Sequence, residues 1–127
     1  DKIFNMGSLN GEYKKYYRNG KIQEYANFIK NKKNGTSSWY FDNGVLSIQY
    51  KYSMGSIVDT VFTYFKSGKL KSQIPYSNNN PNGEKIVFFE SGMIRLKGSL
   101  KNGNRIGEWC EYDSLGVSKK CIEYNNN

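Results

Sequence analysis

Side chains suited to catalysis or metal binding are few in this 127-residue sequence. It contains no histidine, and so it lacks the commonest general base and the commonest metal ligand. Serine-based hydrolysis would need such a base, and no Gly-x-Ser-x-Gly segment is present. Acidic residues occur near one another, as at Glu108 and Glu111, but scattered carboxylates are ordinary on a protein surface. The composition therefore predicts a protein that is not an enzyme and that holds no cofactor and no metal.

Cys110 and Cys121 are the only two cysteines of the sequence. Two thiols without a histidine make a poor zinc site. Two alternatives remain: a disulfide between neighbouring strands, which suits an exported protein, or two reduced cysteines. The strand register derived below places Cys121 opposite Trp109 and on the other face from Cys110, which favours reduced cysteines. The last turn is longer than the others, and this leaves the disulfide open.

A short pattern recurs every 24 residues: an aromatic run, a polar turn that ends in glycine, and then an aliphatic or basic residue. The clearest copy runs from Trp39 to Leu46. The turn glycines are Gly20, Gly44, Gly68, Gly92 and Gly116. A fixed period of this length is the signature of a repeat protein. Aromatic residues with frequent Gly and Asn favour strands over helices. The sequence thus predicts an all-β protein, an elongated antiparallel array of β-hairpins with about five 24-residue repeats.

We expect a single repeat domain over residues 1–127. The pattern divides it into a leading half repeat over 1–10 and five repeats near 11–34, 35–58, 59–82, 83–106 and 107–127. The sequence starts at Asp1 and inside a repeat, so we expect that a signal peptide, a tag or further repeats preceded it. Gly98 is the one glycine that lies outside the recurring turn positions.

The turn sequence fits a three-residue loop, with a type I turn over Asp42 and Asn43 and a left-handed Gly44. This register pairs Tyr40 with Leu46. The face predicted to form the core contains Tyr16, Ile22, Ala26, Phe28, Tyr40, Leu46, Ile48, Tyr50, Tyr52, Tyr64, Leu70, Ile74, Tyr76, Phe88, Ile94, Leu96 and Leu100. Because side chains alternate between the faces of a strand, a slip of one residue would turn this set outward.

The opposite face combines large rings with basic side chains. Aromatic anchors surrounded by charge are typical of a binding patch. We therefore predict a partner-binding surface formed by Tyr17, Trp39, Phe41, Phe65, Lys69, Lys71, Phe89 and Arg95. The alternative is that these rings only shield a thin sheet by packing on their cross-strand neighbours. If the surface is free, the rings of Phe41 and Phe65 should be more exposed than those of Tyr40 and Tyr64.

The net charge is +8, from 19 basic and 11 acidic residues. Such a charge keeps a protein soluble, and it also suits an acidic partner. No run of 18 apolar residues occurs, so no transmembrane helix is predicted. We expect a protein as the partner, with an anionic lipid surface as the alternative, and neither a nucleic acid nor a small-molecule substrate.

The recurring glycine, aromatic pair, Asn-Gly or Ser-Gly turn and following Leu or Ile resemble the MORN repeat. The match is closer to its bacterial variant form, which is often labelled an antitoxin component. Asp59 in a glycine position, Ser118 in an aliphatic position and the longer turn over 113–116 depart from the pattern. The resemblance implies an elongated β-meander that serves as a scaffold or binding module.

The expected function is therefore a non-enzymatic scaffold that binds a protein through the aromatic and basic face. We expect it to be exported or associated with the cell envelope of a bacterium rather than cytoplasmic. The resemblance also implies one alternative, an antitoxin or immunity protein that neutralises a toxin. The charge of +8 supports another, an adaptor for an anionic membrane or phospholipid head groups.

Overall fold

A computed structural model describes residues 4–5 and 8–125, and the leading half repeat predicted over 1–10 lies partly outside them. The strands of this part of the chain are β1 (Phe4–Asn5), β2 (Ser8–Leu9), β3 (Gly11–Tyr16), β4 (Ile22–Ile29), β5 (Lys32–Lys33), β6 (Gly35–Tyr40), β7 (Leu46–Ser53), β8 (Ser56–Tyr64), β9 (Leu70–Ser77), β10 (Asn80–Pro81), β11 (Gly83–Phe88), β12 (Ile94–Lys101), β13 (Asn104–Tyr112) and β14 (Lys119–Tyr124). Among the described residues no helix is long and apolar enough to cross a membrane.

Ten of these strands form one antiparallel meander in chain order, from β3 through β4, β6, β7, β8, β9, β11, β12 and β13 to β14. The short strands β5 and β10 extend this sheet by pairing with β4 and β9, whereas β1 and β2 pair only with each other. Five hairpins follow one another: β3–β4, β6–β7, β8–β9, β11–β12 and β13–β14. The predicted all-β array of hairpins is confirmed.

The first four hairpin turns have the predicted three-residue geometry. In the second hairpin, the Phe41 amide donates to the Val45 carbonyl at 2.8 Å, and the Gly44 amide donates to the Phe41 carbonyl at 3.0 Å. Gly44 has a φ of 89°, the left-handed conformation that glycine adopts without steric cost. The aromatic residue that precedes each turn is therefore held in the same place in every one of these hairpins.

Each of these four hairpins also contains a β-bulge that the sequence did not reveal. Tyr40 pairs with Leu46 as predicted, but Trp39 pairs with Ile48, so Ser47 has no residue opposite it. The equivalent unpaired residues are Gln23, Ser47, Lys71 and Arg95. A bulge of one residue shifts the pairing beyond it by one position. The predicted division of the sheet into a core face and an opposite face is therefore wrong beyond the bulge.

The observed register forms continuous rows across the sheet. We call one side the tryptophan face; its central row is Lys15, Glu24, Trp39, Ile48, Thr63, Ser72, Val87, Leu96, Glu111 and Lys120. The matching row on the other side, the cysteine face, is Lys14, Tyr25, Ser38, Gln49, Phe62, Gln73, Ile86, Lys97, Cys110 and Cys121. Trp39 thus shares a face with Ile48, whereas Tyr40 and Leu46 lie on the cysteine face.

The tryptophan face is the more buried side of this thin sheet. Its fully buried residues include Ala26, Ser37, Val61 and Trp109, whereas Tyr16, predicted to be in the core, is on the cysteine face and 51% exposed. Glu24 and Ser72 are also buried on the tryptophan face. The predicted core residues are therefore divided between the two faces. The observed core combines residues from the second strand of each hairpin, such as Ile48, with aromatic rings that were predicted to lie on the opposite face.

The last hairpin reaches the same register by a different route. Its turn has four residues rather than three, because the Asp113 amide donates to the Ser118 carbonyl at 3.1 Å. No bulge follows this turn, and Cys110 pairs directly with Cys121. The two cysteines form a disulfide, so the expectation of reduced cysteines is wrong. The extra turn residue replaces the bulge and brings both sulfur atoms to the cysteine face.

Candidate partner-binding surface

The hairpin turns stack along one edge of the sheet and are joined by side-chain hydrogen bonds. The Asn19 side chain donates to the Asp42 carbonyl at 2.9 Å, and the Asn43 side chain donates to the Lys66 carbonyl at 3.2 Å. The Tyr17 hydroxyl donates to the Tyr40 carbonyl. The first turn is thus fixed against the second, and the second against the third.

One aromatic residue precedes each of the first four turns, and together these residues form an aromatic ladder: Tyr17, Phe41, Phe65 and Phe89. They follow directly after residues of the cysteine face, so strand alternation carries them to the tryptophan face. All four rings are half-buried. The corresponding residue of the fifth hairpin is Asp113.

A basic side chain accompanies three members of the ladder. The Lys66 ammonium lies 5.9 Å from the ring centroid of Phe41, and the Lys71 ammonium lies 5.7 Å from that of Phe65. Phe89 and Arg95 line one depression of the tryptophan face. We call these three pairs the ring–cation units. The first two pairs are cation–π contacts, which at exposed sites contribute about 0.5–1 kcal/mol and hold charge next to an apolar surface.

The bulges explain how two of these cations reach their rings. Lys71 and Arg95 are the unpaired residues of the third and fourth hairpins. A bulge redirects the side chain of its extra residue. Here the extra residue is a basic one in the second strand of the hairpin, and its side chain lies on the same face as the ring that follows the first strand. The bulge that made the face assignment wrong therefore also supplies the cations of two of the three units.

The structure brings together some of the predicted site residues and separates others. Phe41, Phe65, Phe89, Lys71 and Arg95 lie in the three units. Lys69 is exposed in the third turn, where its carbonyl accepts the Phe65 amide at 2.8 Å. Trp39 lies in the central row of the tryptophan face, and Tyr17 joins its turn to the next. The units and their flanking rings thus share one face and one edge.

The expected contrast in exposure does not appear. Phe41, Phe65, Tyr40 and Tyr64 are all half-buried, although the two sets lie on opposite faces. In the first hairpin the order is the reverse of the expected one: the residue on the cysteine face is the exposed one, and Tyr17 is half-buried. Ring exposure alone therefore does not single out a binding face, whereas the cations beside the rings distinguish the tryptophan face.

Lys66 is a member of the units that sequence reasoning missed. It is the first residue of the turn of the third hairpin, yet its ammonium covers the ring of the second. A sequence pattern that is compared only within one repeat assigns Lys66 to the turn of the third hairpin. The hydrogen bond from Asn43 to the Lys66 carbonyl is what brings this lysine to the preceding repeat.

A second set of ring–cation contacts lies towards the other edge of the tryptophan face. The Arg105 guanidinium lies 4.2 Å from the Trp109 ring and 5.5 Å from the Tyr124 ring, and donates to the Tyr124 hydroxyl at 3.1 Å. The Lys33 ammonium lies 5.4 Å from the ring centroid of Tyr52. Lys33 and Tyr52 occupy the repeat positions of Arg105 and Tyr124, three repeats earlier. The 24-residue period relates these pairs, so comparing positions 33 and 105 could have found them.

Buried charge modifies the chemistry of the neighbouring tyrosines. Glu24 is buried, and its carboxylate forms an ion pair with Lys33 at 3.4 Å. Burial raises the pKa of the Tyr52 hydroxyl, and the negative charge of Glu24 raises it further. Burial also raises the pKa of Tyr76, with a smaller effect from Tyr50. These phenols are therefore neutral hydrogen-bonding groups at physiological pH.

One cluster has the residue types of a metal site. Ligand atoms of Glu108, Cys110 and Cys121 lie within 4.8 Å of one another. The two sulfur atoms are bonded to each other, and a metal requires thiolates. The two cysteines therefore act as a covalent link between β13 and β14.

An antiparallel meander of hairpins, with ring and cation side chains recurring along one edge, defines the class: a β-repeat protein. The comparison with known families places it further. Three successive stretches, residues 9–30, 33–53 and 60–78, match the model described as MORN repeat variant. These stretches comprise 62 of the 127 residues and are similar to MORN-variant repeats, as the resemblance in the sequence indicated. The comparison with curated proteins gave no significant match.

Proposed function

We propose that this protein is a non-enzymatic scaffold that binds a protein partner through the turn edge of the tryptophan face. The observation that carries the proposal is a basic side chain near the ring before the turn in three successive hairpins: in cation–π contact with Phe41 and Phe65, and in a shared depression with Phe89. A repeat scaffold presents the same position many times along an extended surface, which suits a partner that makes several weak contacts.

The chemistry of the units supports a protein as the partner. Each half-buried ring offers an apolar contact, and each cation is exposed beside it. Aromatic residues and arginine are enriched at protein interfaces. A partner with acidic side chains next to apolar ones would complement both parts of a unit, and the net charge of +8 would favour its approach.

The disulfide supports an oxidising compartment for this protein, such as the cell envelope or the exterior of a bacterium. An antitoxin or immunity role would be a special case of the proposal, in which the partner is a toxin. The family resemblance alone favours that case. An adaptor for anionic phospholipids is the alternative from a different class, and it rests on the net charge.

Capture of partners from an extract of the source cells tests the proposal. We expect the double substitution Phe65→Ala with Lys71→Ala to remove the captured partner. The control is Tyr16→Ala with Lys51→Ala, which deletes an aromatic and a basic side chain from the cysteine face. Thermal unfolding of both variants checks that each is folded.

Loss of the same protein from the first variant, with retention by the control, supports the proposal. Equal capture by both folded variants would place the interface elsewhere. Binding to vesicles that contain phosphatidylserine, with no protein captured, would favour the lipid adaptor instead. Such binding should weaken steeply as salt is added, because it depends on long-range attraction.

A further inference from the structure

The spacing of the ring–cation units limits the conformation of a partner that contacts all three. The rings of successive units belong to successive hairpins, so two strands separate them, and each ammonium of the first two units lies within 6 Å of its ring. Neighbouring strands lie about 4.8 Å apart, which places equivalent positions about 9.6 Å apart. A polyproline II helix advances about 3.1 Å per residue with three residues per turn, or about 9.3 Å per turn. One turn of such a helix therefore spans one repeat.

Other backbone conformations fit this spacing less well. A β-strand covers a similar distance in three residues, but its side chains alternate, so every third residue points to the opposite side. Two turns of an α-helix cover about 10.8 Å, and the mismatch of about 1 Å per repeat accumulates. Only the polyproline II conformation returns the same side of the chain to each unit in register.

We propose that the units bind an acidic, proline-containing segment in the polyproline II conformation, which crosses the strands with an acidic residue at every third position. This inference rests on the proposed function and specifies its partner. In each unit the carboxylate faces the basic group: Lys66, Lys71 or Arg95. The proline or another apolar residue of the same turn lies against the ring: Phe41, Phe65 or Phe89. Aromatic surfaces are the usual receptors for this conformation, which is already ordered before binding.

The charge distribution favours an acidic rather than a neutral proline-rich segment. Lys66, Lys71 and Arg95 are all exposed beside their rings. Among the described residues, the ion pairs of the sheet involve other cations, namely Lys33, Lys51 and Lys97. The cations of the units are thus available to the carboxylates of a partner, while the rings set where the chain lies.

Two synthetic peptides of identical composition test the inference. The first contains four Pro-Ala-Glu triplets, so its glutamates are three residues apart. The second has the same residues with the glutamates at unequal spacings. We expect the first to bind the full chain about tenfold more tightly, measured by fluorescence anisotropy, because the second aligns fewer carboxylates with the units. Phe65→Ala with Lys71→Ala should remove this preference, and Tyr16→Ala with Lys51→Ala should retain it.

Equal binding of the two peptides, or no binding of either, would overturn the inference. Binding of phosphatidylserine-containing vesicles without peptide binding would also overturn it. The proposed function is tested separately, by capture from the source cells. If the site variant loses its captured protein while the two peptides bind equally, the surface binds a protein of a different shape.

Discussion

Gly98→Ala should destabilise the protein strongly, because the ring of Trp109 occupies the space where a side chain would start. A Cβ atom built at Gly98 lies 2.0 Å from Cδ2, 2.3 Å from Cε2 and 2.4 Å from Cγ of that ring. Trp109 is buried, with 3% of its surface exposed. Its indole Nε1 donates to the Ser99 carbonyl at 3.0 Å. The ring cannot move away without breaking this hydrogen bond and its packing.

The magnitude follows from these two losses. Forcing extra volume into a well-packed site costs about 1–3 kcal/mol, and losing a buried hydrogen bond costs about 1 kcal/mol more. We therefore expect Gly98→Ala to lower the free energy of unfolding by about 2–4 kcal/mol. Urea unfolding measured by circular dichroism gives this quantity for the wild type and the variant. If Gly98→Ala did not fold at all, the loss of stability would be consistent with this value but would not identify Trp109 as its cause. A second substitution, at Trp109, identifies the cause.

Trp109→Leu supplies that test. It removes the ring that meets the new methyl group, so Gly98→Ala should cost much less in this background. A double-mutant cycle then gives a coupling energy of more than about 1 kcal/mol between the two positions. If Gly98→Ala were close to neutral in the wild type, or equally costly in both backgrounds, Trp109 would not pack on Gly98 and the register of the last two hairpins would be wrong.

Three further predictions concern the turns and the disulfide. Gly44→Ala should cost about 1 kcal/mol or more in the free energy of unfolding, because alanine is strained at positive φ; a neutral result in urea unfolding would contradict the turn geometry. Reducing the disulfide, or replacing Cys110 and Cys121 with alanine, should cost about 3 kcal/mol in the same assay, as expected for a loop with a sequence separation of 11 residues. An unchanged unfolding midpoint would show that the bond adds no stability. The hydrogen bond from the Ser118 hydroxyl lowers the pKa of Asp113, and backbone amides lower it further. Its stabilising effect should therefore be present above the ordinary carboxyl pKa and lost as pH falls through the lower folded value. Asp113→Ala should remove this part of the acid dependence, and an identical pH profile for both proteins would contradict it.

The repeat and its turns could be predicted because one residue type dictates the geometry at a fixed interval. Gly44 and its equivalents mark the left-handed position of each turn, and the observed φ values agree. Residues Phe41 and Val45, on either side of this turn, are joined by the predicted hydrogen bond. The all-β class and the order of the hairpins followed from these positions.

The faces of the sheet could not be predicted because the bulge has no shared residue type. Its unpaired residues are Gln23, Ser47, Lys71 and Arg95. Neither charge, size nor β-propensity distinguishes them from their neighbours. A shift of one residue exchanges the two faces of a strand. Because the bulge was not predicted, Trp39 and Ile48 were assigned to opposite faces, whereas they share one.

The same shift accounts for the wrong expectation about the cysteines. A three-residue turn without a bulge would place Cys121 opposite Trp109, whereas the observed pair is Trp109 with Ile122. The fifth hairpin gains its extra residue within the turn, where Asp113 accepts hydrogen bonds from the amides of Leu115, Val117 and Ser118. The longer turn was visible in the sequence, and its extra residue alone moves the partner of Cys121 from Trp109 to Cys110.

Part of the candidate surface could be predicted because aromatic and basic residues recur at fixed positions. Phe65 and Lys71 were identified and lie together in the structure. Lys66 was missed, because it contacts Phe41 of the preceding repeat. Contacts between repeats depend on how the turns stack, and a pattern within one repeat does not contain that information.

The most direct test of the central claim is photo-crosslinking from one position on each face of the sheet. Phe65 belongs to a ring–cation unit, whereas Phe62 lies in the central row of the cysteine face, and both rings are half-buried. Each is replaced in turn by a photoreactive phenylalanine analogue, and the protein is irradiated in the source cells. We predict that position 65 crosslinks to a defined protein and that position 62 does not. Crosslinking from position 62 alone would contradict the assignment of the binding surface.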